Sequence, residues 1–136
     1  MTLVDSNVLL DLITDGGAWA DWSQAQLERA AMSGPLVIND VIYVEISTRY
    51  ATVEAVDAAL GDLNIDIATI PRAALFLAGK AYLRYRGAGG VRTGVLADFF
   101  IGAHAAAEEL PLLTRDARRY RNYFPTVQLI APDGEG

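Results

Sequence analysis

Leu3-Val4-Asp5-Ser6-Asn7-Val8-Leu9-Leu10 is the stretch on which the fold turns. Leu3 and Val4 form a short, uniformly apolar run suited to a strand buried on both faces. Asp5 or Ser6 then caps a helix carrying Val8, Leu9, Leu10, Leu12 and Ile13 to a stop at Gly16-Gly17. The same succession of apolar strand, polar cap and helix returns at Leu36-Val37-Ile38 before Asn39-Asp40, and at Leu112-Leu113 before Asp116. Such alternation predicts an α/β fold with a central parallel sheet of four to five short strands, helices on both faces and right-handed connections.

Working outward, residues 18–32 read as a second helix, and the helix after Asn39-Asp40 runs through Glu45 to about residue 50. Thr52 caps a helix over 53–63, Ile65-Asp66-Ile67 is a short edge strand, and Pro71 opens a helix to about residue 86. The glycine-rich connection 87–90 lacks the lysine of a phosphate-binding loop but can flex over a substrate. Thr93 or Gly94 then starts a helix through Asp98 and His104 to Glu109, which Pro111 ends. Asp116 caps a short helix holding Tyr120 and Tyr123, and Val127-Gln128-Leu129-Ile130 closes the sheet. We expect a single domain over 1–136, with 131–136 a disordered tail.

Composition narrows the chemistry. With 52% hydrophobic residues, the 136-residue chain can build a full core, yet it has no uncharged apolar run long enough to span a bilayer. The start lacks the basic and apolar regions of a signal peptide, so a soluble, cytoplasmic protein with no membrane association is expected. The absence of cysteine excludes thiolate metal sites and thiol nucleophiles, and a lone histidine excludes a multi-histidine ligand set. Any metal must rest on oxygen. A net charge of −6 speaks against a polyanionic partner, but its distribution speaks for one. No acid occurs from Ile67 to Ala97, where Arg72, Lys80, Arg84, Arg86 and Arg92 fall, and Arg115, Arg118, Arg119 and Arg121 surround Asp116.

In a parallel α/β fold, function gathers at the carboxyl ends of the strands. Asp5 and Asp116 follow their strands directly. Glu45, within Val41-Ile42-Tyr43-Val44-Glu45-Ile46, and Asp98, within Val95-Leu96-Ala97-Asp98-Phe99-Phe100-Ile101, occupy early turns of helices that can lean over the same edge. Each acid has a local explanation: a helix cap for Asp5 and Asp116, an Arg49 partner for Glu45, the helix dipole for Asp98. Those are separate causes, whereas one divalent metal site explains all four acids, because a cation offsets both desolvation and mutual repulsion. Carboxylate-bound divalent metal usually serves phosphoryl chemistry, and Arg115, Arg118 or Arg119 could then bind substrate and offset transition-state charge. A phosphatase with an aspartyl nucleophile would want a second Asp where Asn7 stands. A non-catalytic module docking a partner's arginine in the acidic pocket is the alternative. His104 reads as structural, pairing with Glu108, while Trp19 and Trp22 read as core or as anchors for a partner.

Together the opening through Leu10, the mid-chain Glu45, the segment Leu96-Ala97-Asp98-Phe99-Phe100-Ile101-Gly102-Ala103-His104-Ala105 and Leu112-Leu113-Thr114-Arg115-Asp116 resemble PIN-domain ribonucleases, and among them the VapC toxins of type II toxin-antitoxin systems. The resemblance spans nearly the whole chain in order and spacing. It implies a metal-dependent endoribonuclease in which Asp5, Glu45, Asp98 and Asp116 hold Mg²⁺ or Mn²⁺, with Asn7 and Thr114 as polar supports. It also implies cleavage of RNA such as tRNA or rRNA at a loop, leaving a 5′-phosphate and a 3′-hydroxyl, a homodimer, and a VapB-like antitoxin lying over helices near the acidic pocket. The one departure is Ala97, where many relatives carry proline, and it bears only on the local backbone.

Overall fold

The structure, a computed structural model, describes residues 1–14, 17–90 and 95–132. The opening stretch forms β1 (Thr2–Val4) and α1 (Ser6–Ile13), and a 3₁₀ turn (Gly17–Trp19) leads into α2 (Ala20–Ser33). The second strand-cap-helix unit is β2 (Leu36–Asn39) with α3 (Asp40–Ser47), and α4 (Val53–Asp62) leads to β3 (Ile65–Ala68). Then come α5 (Arg72–Gly87), α6 (Leu96–Ala107), β4 (Leu112–Leu113), α7 (Arg118–Tyr123) and β5 (Leu129–Ile130).

All strand pairs are parallel, in the order β3-β2-β1-β4-β5. Leu3, Val4, Ile38, Leu112 and Leu113 are fully enclosed, as strands covered on both faces require. The chain leaves β1 first toward β2 and later returns to its other side as β4, so the sheet changes direction between β1 and β4. Such a switch point opens a crevice beyond the strands' carboxyl ends. Asp5 follows β1, and Thr114 follows β4, with the two strand ends joined by the Asp5 N–H to Leu113 carbonyl bond of 2.9 Å. No helix among the described residues is long and apolar enough to cross a membrane.

Caps fall largely where side-chain chemistry puts them. Asp5 accepts from the Ser6 N–H, Asn39 from Ile42 at 3.0 Å, and Thr52 from Ala55 at 3.1 Å. Asp116 does not cap α7, whose preceding residue is Ala117 with no side-chain cap. The helix carrying Asp98 begins at Leu96; the expected starts at Thr93 and Gly94 lie outside the described residues, as does Gly16 after α1. That helix stops at Ala107, before Pro111, because Glu109 turns to a positive φ of 54° and the Leu110 N–H closes onto the Ala105 carbonyl at 2.9 Å. Of the expected tail, residues 131 and 132 carry no regular structure and the rest lies outside the described residues.

Asn39 ties the sheet to two helices. Its carbonyl oxygen caps α3, and its amide lies 3.1 Å from His104 Nδ1 on α6, both residues being buried. His104 is structural as expected, but its ring meets Asn39 and feels Glu108 only as a nearby charge, while burial pushes its pKa down. Asn39→Ala removes the cap and strands a buried ring nitrogen. We expect a loss of about 2–3 kcal/mol, read as a lower urea midpoint at unchanged m-value.

Candidate metal centre

The crevice between β1 and β4 is built around Asp5, which is 4% exposed. Its Oδ1 accepts from the Ser6 N–H at 2.7 Å, and its Oδ2 accepts from Thr114 Oγ1 and from the Tyr120 hydroxyl, each at 2.8 Å. All three donors are neutral. Burial pushes the group's pKa up to about 6, with the charges of Asp98 and Glu45 adding to it, and outweighs the Thr114 and Tyr120 bonds, which lower it.

Asn7 works through Thr114. The Arg115 N–H donates to Asn7 Oδ1 at 3.0 Å, which leaves the Asn7 amide to donate to Thr114 Oγ1 at 3.2 Å. The Asp116 N–H donates to the same hydroxyl at 3.1 Å, so its one proton is directed to Asp5. A carboxylate held this way cannot rotate freely, which is what an oriented ligand needs.

Glu45 and Asp98 complete the convergence. Ser6 Oγ donates to Glu45 Oε1 at 2.7 Å across the gap between α1 and α3, so the Arg49 pairing is not what holds Glu45. Asp98 pairs with Arg119, Nη1 to Oδ2 at 2.6 Å. Burial raises the pKa of both acids; Asp5 feels the charges of Asp98 and Glu45, and Glu45 that of Asp98. Asp116 is exposed at the rim and is felt by Asp98.

The arginines divide. Arg119 reaches into the acidic group and Arg118 is exposed beside it. Arg115 is held elsewhere: its guanidinium is taken as a fork by Asp11, at 2.7 and 2.9 Å, and lies 5.4 Å from the Trp19 ring centre. Asp11, buried on α1 and also bonded by Ser23 Oγ at 2.7 Å, is an acid whose structural role sequence reading missed. Trp19 is exposed and meets Trp22 edge-on at 5.8 Å.

Tyr120 was also missed as a donor to Asp5, having been read only as a helix residue. It reaches Asp5 because α7 packs tightly on α6 at Gly102, where a Cβ would lie 2.4 Å from the Phe124 ring. Only glycine permits that approach.

The donor set is all oxygen with excess negative charge, which suits a hard divalent cation such as Mg²⁺ or Mn²⁺. Among the described residues no three His, Asp or Glu side chains hold an ion as they stand. Each inner acid is instead turned to a protein donor, and on Asp98 the Arg119 guanidinium takes Oδ2.

A protein-family model described as the PIN domain matches residues 2–125. Among solved structures, the chain is similar to one in VapBC2 from Rickettsia felis bound to a DNA fragment from its promoter, with 18% identity over 97% of this chain and 98% of that one, and a TM-score of 0.74. It is similar to a chain of VapBC-1 from nontypeable Haemophilus influenzae, with 15% identity, 96% of each chain covered and a TM-score of 0.70. A toxin-antitoxin complex from Klebsiella pneumoniae matches at 22% identity, with 93% of this chain and 95% of that one covered and a TM-score of 0.65. The sequence matches no curated protein. At these identities the likeness to solved structures concerns the fold.

Proposed function

Because the chain belongs to the PIN-domain family, we propose that it is a metal-dependent endoribonuclease of the VapC type, the toxin of a toxin-antitoxin pair. The observation that carries this reading is Asp5: a buried carboxylate served only by neutral donors, facing Glu45 and Asp98 at the switch point of the sheet. Asp5, Asp98, Glu45 and Asp116 would hold Mg²⁺ or Mn²⁺, with Asp5 and Asp98 as the direct ligands. When bound there, the ion supplies charge neutralisation at the scissile phosphate and a lower pKa for an attacking water.

The chain's own residues do the positioning. Ser6 holds Glu45, and the Asn7-Thr114 relay and Tyr120 hold Asp5. Arg119, once released from Asp98, and Arg118 beside it face the developing phosphate charge. Water attack would leave a 5′-phosphate and a 3′-hydroxyl. A VapB-like antitoxin, a homodimeric assembly and a tRNA or rRNA target belong to the same proposal, which the fold shared with VapBC complexes supports.

The test is incubation of the purified protein, freed of any partner, with total RNA under Mg²⁺ or Mn²⁺ and with EDTA, mapping fragment ends. Discrete metal-dependent cuts with 5′-phosphates are expected. A lack of cuts in every metal would sink the reading.

The Arg119–Asp98 pair favours a second reading, since it shows that this pocket accepts a guanidinium. On that reading the pocket docks a partner's arginine and performs no chemistry.

Arg119 also yields a binding prediction. Arg119→Gln removes a cation that competes for Asp98, so Mn²⁺ should bind several-fold more tightly by calorimetry without RNA, while cleavage slows. Weaker Mn²⁺ binding would show that Arg119 does not compete with the ion.

A further inference from the structure

Beside the acidic centre lies a cavity of about 350 Å³ lined by Tyr85 of α5, by Asp116, and by Arg118, Arg119, Asn122 and Tyr123 of α7. Its size is at the lower end of small-molecule sites, which run from roughly 300 to 1,000 Å³. It therefore has room for about one nucleotide and none for a duplex.

The walls are fixed before any ligand arrives. The Tyr85 and Tyr123 rings stand edge-to-face at 5.9 Å, and each packs on Phe99 at 5.3 Å. Gly90 closes over Tyr85 from outside: its N–H bonds the Tyr85 carbonyl at 2.9 Å, and a Cβ there would lie 2.5 Å from the ring. Arg119 lies over the Tyr85 ring at 5.7 Å while its guanidinium holds Asp98, so one side chain spans cavity and acidic centre. Asn122, exposed at the opening, offers an amide that can both donate and accept.

A planar guanidinium braced on an aromatic ring and one amide are groups that recognise an unstacked base: the guanidinium by stacking, the amide by its edge. We propose that this cavity is a subsite for one nucleobase of single-stranded RNA, next to the phosphate that is cut, with Asn122 setting base preference. The proposal rests on the ribonuclease reading and adds to it where the chain distinguishes one RNA position from another.

The test uses the full chain with Mn²⁺ and a short single-stranded RNA containing a mapped cut, carrying an abasic nucleotide at each position in turn and then each of the natural bases at the sensitive one. One abasic position adjoining the cut should lower kcat/KM at least about tenfold, the size expected for losing one stacked base. Asn122→Ala, a surface change that leaves the fold intact, should flatten the base preference there while the abasic penalty persists. Cleavage with a flat abasic profile, or a base preference that Asn122→Ala leaves unaltered, overturns the subsite alone. No cleavage of any RNA overturns the ribonuclease reading, and the subsite with it.

Discussion

Asp98→Asn should lower metal-dependent RNA cleavage by at least about a thousandfold while moving folding stability by no more than about 1 kcal/mol. The rate effect follows from the ligand role. Amide oxygen carries no charge, so the ion loses an anionic partner, and each 1.36 kcal/mol of lost transition-state stabilisation is about tenfold in rate. The stability effect is small because two contributions oppose. The pair with Arg119 is lost, but its side chains are 32% and 33% exposed, and water screens such a pair to about 0–1 kcal/mol. In return, burial and the Asp116 charge no longer press on an ionised carboxyl at this position. Cleavage is checked by single-turnover kinetics on a mapped RNA, and stability by urea unfolding of the same preparation. A variant that still cuts at near the wild-type rate removes Asp98 from the chemistry. A protein that never cuts, and whose Asp98→Asn variant loses affinity for an arginine-bearing partner, is instead the docking module.

What could be read from the chain and what could not differ in a physical way. Leu3-Val4, Leu36-Val37-Ile38 and Leu112-Leu113 announce buried strands because uniform apolarity and length are local properties. A parallel sheet then brings their ends to one edge, which is how residues as distant as Asp5 and Thr114 come within 2.8 Å. Partner choice is not local. Tyr120 reaches Asp5 only because Gly102 lets α7 close on α6, and nothing beside Tyr120 in the sequence signals that. Arg115 looked free to meet a phosphate because it neighbours Asp116, yet its side chain points to Asp11, an acid that reads as an ordinary helix residue. His104 was assigned the partner one helical turn away, whereas a buried imidazole took the amide of a neighbouring strand end. In each case the partner is supplied by packing, which no neighbour in sequence announces.

The metal-free protein should lose stability as pH rises from about 4 to about 6, and divalent cation should reverse that trend. Asp5 titrates near 3.8 when unfolded and is pushed up to about 6 when folded. Between those values the native state holds a proton that the unfolded chain has released, so stability falls with pH across the window. The span corresponds to about 3 kcal/mol, or roughly 10 °C in Tm for a chain of this size. Glu45 and Asp98, also raised, act in the same sense. His104 opposes them, since its lowered pKa means that the unfolded chain binds the extra proton below the ordinary histidine value. The Asp5 contribution is therefore isolated by difference: Asp5→Asn, which retains a good capping residue for α1, should fall less steeply than wild type in EDTA. Equal slopes for the two proteins would place the buried charge elsewhere. Mn²⁺ binds the ionised carboxylates, so its stabilising effect should grow from pH 5 to pH 7.5, reaching about 2.7 kcal/mol at about a hundredfold excess over Kd. An Mn²⁺ effect independent of pH, or equal in Asp5→Asn, would mean that the ion does not engage this carboxylate. The burial that makes Asp5 costly to ionise is thus also what makes a cation there stabilising, and the two slopes measure one interaction from opposite sides.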